Sequence, residues 1–236
     1  MENFTMNWTG CGAFEVRMGD VNFAFDPYLF GGNLANAEPI FDYIFISHEH
    51  FDHCHPKTLQ ALCQGDRFQK LFVNPGCLDP ARPIAERYGD AAFERDLPIT
   101  KHISEEKVQV IYPRHLDDNQ GVDRTFPGPF EMDLGPLHVV AIESGENQGP
   151  ELPTCGYLIT HKEKGVSFFH TGDLHRTYEG LQKIRGQVDY LIHMKTGLTE
   201  WEGPDKTTEL LCLVDFVQPR FLIPTHYRTD RISDPI

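Results

Sequence analysis

Ser47-His48-Glu49-His50-Phe51-Asp52-His53 decides the reading of this chain. It follows the apolar run Tyr43-Ile44-Phe45-Ile46, which predicts a buried strand. It precedes Pro56 to Leu62, which predicts a helix opened by an early proline. The motif therefore falls on a strand-to-helix loop. His48, His50, Asp52 and His53 put four metal-capable side chains within six residues. Imidazoles at i and i+2 can converge on one ion from a loop, with Asp52 and His53 turned toward a neighbouring ion. Histidine nitrogens and carboxylate oxygens suit Zn, Mn or Fe. A solvated polar loop that happens to be rich in histidine is the plain alternative.

The motif resembles the signature of the metallo-β-lactamase superfamily. That resemblance implies an α/β fold, a four-layer αββα sandwich, here as a single domain over residues 1–236. A chain of 236 residues is long enough for one sizeable core. Its 40% hydrophobic and 24% charged residues fit an ordinary globular protein. No apolar run reaches the length of a membrane span. The start, Met1-Glu2-Asn3-Phe4-Thr5, shows no signal-peptide pattern, so a cytoplasmic location and no membrane partner are expected. A net charge of −14 argues against a nucleic-acid partner, because phosphate backbones call for basic surfaces. The six cysteines (11, 54, 63, 77, 155 and 212) form no C-x-x-C pair and read as reduced, buried small hydrophobes. Cys54 adjoins the motif, which has ligands enough without it.

Working outward, Phe4–Trp8, Ala13–Met18 and Val21–Phe25 predict a β-meander with turns at Thr9–Gly12 and Gly19-Asp20. It ends in Asp26-Pro27-Tyr28. Residues 30–42 predict a loop. After the motif come a strand at Leu71–Asn74, a helix from Leu78 to Tyr88, and a strand at Lys107–Tyr112. Pro113 to Gly128 is a long polar loop carrying Arg114, His115 and Arg124, either a cover over a site or a simple connection. Leu137–Glu143 predicts a strand with Leu137, Val139, Ala141 and Glu143 on one side and His138, Val140 and Ile142 on the other. Strands at Cys155–Thr160, Val166–His170, Val188–Ile192 and Arg220–Pro224 follow. Helices are expected at Tyr178–Ile184 and Thr207–Phe216. Two similar halves of strands with helices suit the sandwich. Only ten residues follow His226, so a terminal segment is expected to be short or missing.

The resemblance carries the ligand roles. His48, His50, Asp52 and His53 match the first ligand cluster. Asp173, in His170-Thr171-Gly172-Asp173, matches the carboxylate bridging two ions. His226, in Ile223-Pro224-Thr225-His226, matches the last histidine. Asp26 matches an acidic residue that buttresses the histidine loop; an ordinary Asp-Pro turn is its alternative. Glu143 stands where most members carry histidine, and is a ligand or an ordinary exposed glutamate. His138 points to the wrong face to replace it. Ala141-Ile142-Glu143, Trp8-Thr9-Gly10-Cys11, His170 to His175 and Ile223 to Tyr227 resemble the L-ascorbate 6-phosphate lactonase branch. His170 reads as a residue supporting a ligand, with His175 and His193 behind it. Lys195 and Thr196 are weaker candidates for substrate contact.

The resemblance implies two divalent ions about 3.5–4 Å apart that share a hydroxide, with Asp52 as catalytic residue orienting it. A carboxylate at 143 shifts the metal preference toward Mn or Fe. An ester or lactone small molecule, phosphorylated and sugar-derived in the lactonase branch, is the leading substrate class. Phosphodiester hydrolysis and a non-catalytic metal-binding scaffold stay open, as does a homo-oligomer. Antibiotic hydrolysis does not fit, since Asp173 stands where many β-lactamases place cysteine.

Overall fold

Phe41-Asp42-Tyr43-Ile44-Phe45 is a strand because its β-branched and aromatic side chains pack on both faces of a sheet. It is the fourth strand of a computed structural model that describes residues 4–28, 41–49, 52–64, 66–78, 103–117, 128–144, 154–174, 177–194 and 206–226. The chain separates into two compact units, Met1–Val110 with Thr229–Ile236, and Ile111–Arg228.

The first unit holds a six-stranded sheet in the order β1 (Phe4–Gly10), β2 (Ala13–Met18), β3 (Val21–Phe25), β4 (Phe41–Phe45), β5 (Phe68–Val73) and β6 (Val108–Val110). The first three strands form the antiparallel meander. From β3 to β6 every pairing is parallel. The C-terminal ends of β1, β3, β4 and β5 therefore share one edge of the sheet. Cys11, Asp26 and Asn74 follow the ends of β1, β3 and β5 directly, and Ser47 follows β4 after Ile46. Helix α1 (Pro56–Gln64) buries Leu59 and Leu62 against Ile44, Phe68, Leu71 and Val73. Phe23, Phe25, Phe45 and Phe72 are all fully buried. Phe45 and Phe72 stack at 5.1 Å, and Phe23 meets Phe25 edge-on at 5.6 Å.

The second unit holds another six-stranded sheet, in the order β12 (Phe221–Thr225), β11 (Tyr190–Met194), β10 (Val166–His170), β9 (Cys155–His161), β8 (Leu137–Glu143) and β7 (Glu131–Leu134). Strands β10, β11 and β12 are parallel, and β9 is antiparallel to both β8 and β10. The C-terminal ends of β8, β10, β11 and β12 again share one edge, and Glu143, His170, Met194 and Thr225 close those four strands. Ile142, Leu158 and Phe169 on one face pack with Leu181, Ile184, Leu213 and Val217. The last two belong to helix α2 (Lys206–Val217). Val139 and Ala141 are buried on the other face, the one Glu143 shares by alternation.

Three departures from the sequence reading have physical causes. Strand β7 was not foreseen. Its residues Glu131-Met132-Asp133-Leu134 pair with β8 around the tight Gly135-Pro136 turn, where Gly135 takes φ +56°. The segment read as a helix at 178–184 is a 3-10 helix, Glu179–Ile184. Gly180 lies so close to Leu116 and Asp117 that a Cβ there would stand 2.5 Å from the Asp117 nitrogen. The strand at 107–112 shortens to Val108–Val110: Lys107 belongs to the 3-10 turn Glu105–Lys107, and Tyr112 gives its N–H to the Pro129 carbonyl instead. The helix expected from Leu78 to Tyr88 lies outside the described residues except for Leu78, which ends a 3-10 helix, Pro75–Leu78. Among the described residues no helix is long and apolar enough to cross a membrane.

Candidate metal centre

Asp26 anchors the motif loop of the first unit. It follows β3 in the left-handed region, at φ +43°. That turn swings its carboxylate under the end of β4. Oδ1 accepts the Ser47 N–H at 2.6 Å, and Oδ2 accepts the Ser47 hydroxyl at 2.7 Å. Oδ2 also lies 2.7 Å from His53 Nδ1. Asp26, Ser47, His48 and His53 are all fully buried.

These contacts fix the histidine tautomers. A carboxylate only accepts, so His53 Nδ1 carries the proton. The single Ser47 hydroxyl proton goes to Asp26, so Ser47 Oγ accepts from His48 Nδ1 at 2.9 Å. Both imidazoles are thereby left with Nε2 as the lone-pair nitrogen. Their rings lie 4.1 Å apart, tilted by 41°. A buried carboxylate behind a histidine is the usual arrangement for orienting a metal ligand and raising its basicity. The donor set therefore fits a divalent ion.

Asp52 is half-buried, with Oδ2 3.8 Å from His53 Nε2. Cys11, at the β1–β2 corner, donates its thiol proton to Asp52 Oδ2 at 3.0 Å. Asn74, after β5, donates its amide to the Ser47 carbonyl at 3.1 Å and closes the loop from the other side. Its Oδ1 accepts the Cys77 N–H and thiol. Burial, reinforced by Cys54 and by the charges of Glu49 and Asp26, pushes the Cys77 thiol well above the usual range, so it stays protonated. Cys54 itself packs in the apolar cluster under α1. His55 serves the helix: its Nδ1 accepts the Thr58 N–H at 3.3 Å, as an N-cap does. His50 lies outside the described residues.

The second unit presents its own candidates along its sheet edge. Glu143 is buried at the end of β8, with its N–H held by the Arg114 carbonyl at 3.0 Å. Its carbonyl accepts the Tyr178 hydroxyl at 3.1 Å. The Tyr178 ring stacks on His115 at 4.7 Å. Burial, then the Glu143 charge, push the Tyr178 hydroxyl far above its ordinary range. After β10, His170 Nδ1 accepts the Gly172 N–H at 3.2 Å. The Thr171 hydroxyl donates to the Gly172 carbonyl and so accepts from His193 Nδ1 at 2.8 Å. His170 and His193 are both buried. Asp173 Oδ1 lies 3.3 Å from His226 Nε2, and His226 Nδ1 lies 2.8 Å from Thr225 Oγ. His226, like Asp26, is in the left-handed region, at φ +56°.

His138 faces outward and pairs with Asp133 at 3.0 Å. His175, Arg124, Lys195 and Thr196 lie outside the described residues, as does most of the 30–42 loop. Sequence reasoning did not single out Ser47, Asn74, Tyr178 or the Cys11 thiol as parts of the site. Ser47 and Cys11 were inside quoted motifs; Asn74 and Tyr178 have no local pattern that marks them.

The family described as "Beta-lactamase superfamily domain" matches residues 5–226. The chain belongs to this superfamily. Its fold class is accordingly the α/β sandwich of the metallo-β-lactamase type. A curated relative from Carboxydothermus hydrogenoformans, named "UPF0173 metal-dependent hydrolase", is 25% identical over 231 residues, covering 95% of this chain and 84% of that one. Among solved structures, Igni18, a novel metallo hydrolase from Ignicoccus hospitalis, superposes with a TM-score of 0.59 at 16% identity, over 96% of this chain and 84% of that one. CmlA, a diiron β-hydroxylase from Streptomyces venezuelae, gives 0.60 at 18% identity, over 95% of this superfamily member and 45% of CmlA.

Proposed function

We propose that this superfamily member is a metal-dependent hydrolase. His48, His50, Asp52, His53, Glu143, Asp173 and His226 hold its two divalent ions, Zn, Mn or Fe. The observation that carries this reading is the proton arrangement in the first unit. Asp26 and Ser47 occupy Nδ1 of His53 and His48, which presents both Nε2 lone pairs as ligands. The name of the Carboxydothermus relative supports the same activity. CmlA shows that the fold also hosts a diiron protein, which keeps iron among the three metals.

When bound, a divalent pair supplies an activated water and a polarised substrate oxygen. The chain's residues do the rest. Asp52 orients the attacking water and takes up its proton at a carboxylate oxygen. Asp26 keeps His53 in one tautomer and one orientation through the reaction. Glu143 and Asp173 offset the positive charge of the site. His170 and His193 support the loop that carries Asp173. The substrate is a small ester or lactone, sugar-derived and phosphorylated if the lactonase branch is the right one. The net charge of −14 supports such a molecule over nucleic acid. A cytoplasmic enzyme with no membrane partner, with self-association left open, completes the proposal.

The test is metal content by plasma mass spectrometry on chelator-free protein, followed by lactone and phosphodiester panels. About two equivalents with lactone turnover is the expected result. Turnover of phosphodiesters alone would replace the substrate class, and no metal uptake would overturn the reading. Asp52→Asn is expected to lower kcat by about 10²-fold or more, the usual weight of a positioned acid-base group, with the fold retained.

A further inference from the structure

Cys11 closes the Trp8-Thr9-Gly10-Cys11 stretch, to which the resemblance gives no ligand role. Its placement is nonetheless that of a ligand. It sits at the β1–β2 corner, one residue past the end of β1, in the left-handed region at φ +48°. The corner is fixed by the Trp8 indole N–H, which donates to the Cys11 carbonyl at 2.9 Å. Gly10 pairs with Ala13 across the turn. The side chain is buried, beside Ala13 and Tyr28. A cysteine serving only as a small hydrophobe would point its sulfur into such apolar contacts. Here Sγ faces the Asp52 carboxylate at 3.0 Å.

One donor atom each of Cys11, Asp52 and His53 lies within 4.8 Å of the other two. Metal bonds of about 2.3 Å to sulfur and about 2.0–2.2 Å to nitrogen and oxygen set tetrahedral donor separations of roughly 3.4–3.6 Å. The 3.0 Å from Cys11 to Asp52 and the 3.8 Å from Asp52 to His53 Nε2 bracket that value. His53 cannot swing away to relieve the cluster, because its other nitrogen is held by Asp26. Three donors of three chemical kinds, brought from two separate loops to within 4.8 Å of one another, make a site rather than a lone thiol.

We propose that Cys11 is a metal ligand, completing with Asp52 and His53 a mixed sulfur, oxygen and nitrogen site for a borderline-soft cation, zinc. This rests on the metal-dependent reading above and deepens it. On binding, the Cys11 S–H bond breaks, the metal–sulfur bond forms, and the proton passes to solvent. A thiolate favours zinc and cadmium and disfavours manganese. Cys11 is thus the residue that sets which metal the Asp52 and His53 position selects, against the harder preference that Glu143 imposes on its own site.

The experiment is X-ray absorption at the zinc edge on the full-length, zinc-loaded protein, beside zinc and manganese affinities of native and Cys11→Ser protein. A sulfur shell near 2.3 Å is expected in the native protein. It should vanish in Cys11→Ser, whose zinc affinity should fall tenfold or more while manganese affinity changes less than threefold. Zinc bound with only nitrogen and oxygen neighbours would overturn the proposal and leave the hydrolase reading standing. A sulfur shell that persists in Cys11→Ser, or an unchanged zinc-to-manganese preference, would overturn it as well. Failure to bind zinc or any other metal would overturn both readings. Should Cys11→Ser not fold, Cys11→Ala takes its place in the same measurements, with the same outcomes.

Discussion

Asp26 spends both carboxylate oxygens on one loop. Replacing it by Asn keeps its shape, but turns one acceptor into a donor facing the His53 and Ser47 protons. Asp26→Asn is therefore expected to weaken metal binding by about 10–100-fold, the usual cost of losing a carboxylate behind a ligating histidine. Chelator competition measures this directly, and an affinity within threefold of native would show that Asp26 does not orient His53. Tyr178 makes a prediction about pH. Its hydroxyl is raised above its ordinary value chiefly by burial. The folded state then holds a proton that the unfolded chain releases above about pH 10, so stability is full below pH 10 and declines above it. The slope reaches roughly 1.4 kcal/mol per pH unit for this one group. Denaturant melts from pH 9 to 11 should show a shallower decline in Tyr178→Phe than in native protein; identical slopes would assign the loss elsewhere.

The short 3-10 helix Glu179–Ile184 shows what a close approach demands. Gly180 packs on the backbone of Leu116 and Asp117, which cannot rotate away as a side chain would. Gly180→Ala is expected to cost about 1–3 kcal/mol or more by overpacking, read as a lowered denaturation midpoint. Alanine at Gly165, where no neighbour stands within 4 Å, meets only the strain of its positive φ and should cost less. A larger loss at Gly165 would reverse the packing argument. Legibility followed the same line. Strands with dense β-branched and aromatic residues, such as Val21–Phe25 and Leu137–Glu143, could be read from sequence with their bounds nearly intact. Strand β7 could not, because Glu131-Met132-Asp133-Leu134 carries two apolar residues and owes its shape to pairing with β8. Its one local signal was the Gly135-Pro136 dipeptide, a turn between two apolar positions. The histidine motif was legible because its residues are consecutive. The thiol of Cys11 was not, because 41 positions separate it from Asp52 and only the sheet brings them together.

For the whole molecule, metal and stability are linked. A ligand at 100 times its dissociation constant adds about 2.7 kcal/mol to the folded state. For a chain of this size each kcal/mol moves Tm by about 2–4 °C, so stripping metal should lower Tm by roughly 5–10 °C. Calorimetry with and without chelator tests this, and superimposable traces would count against resident ions. Within each sheet, hydrogen exchange should be slowest on the central strands β3, β4, β9 and β10 and fastest on β1, β6, β7 and β12, which among the described residues have one neighbouring strand apiece.

Each sheet also has a second rim, opposite the one that carries the candidate ligands. The strand directions send Gly19-Asp20, Gly135-Pro136 and the 162–165 turn there. These hairpin corners bear none of the candidate ligands. They are the natural places to graft an affinity handle, a fluorophore or a surface tether, because a change of length at a corner is absorbed by solvent and not by the ligand loops. A reporter attached at 163 or 164 should thus follow the protein without altering what it does.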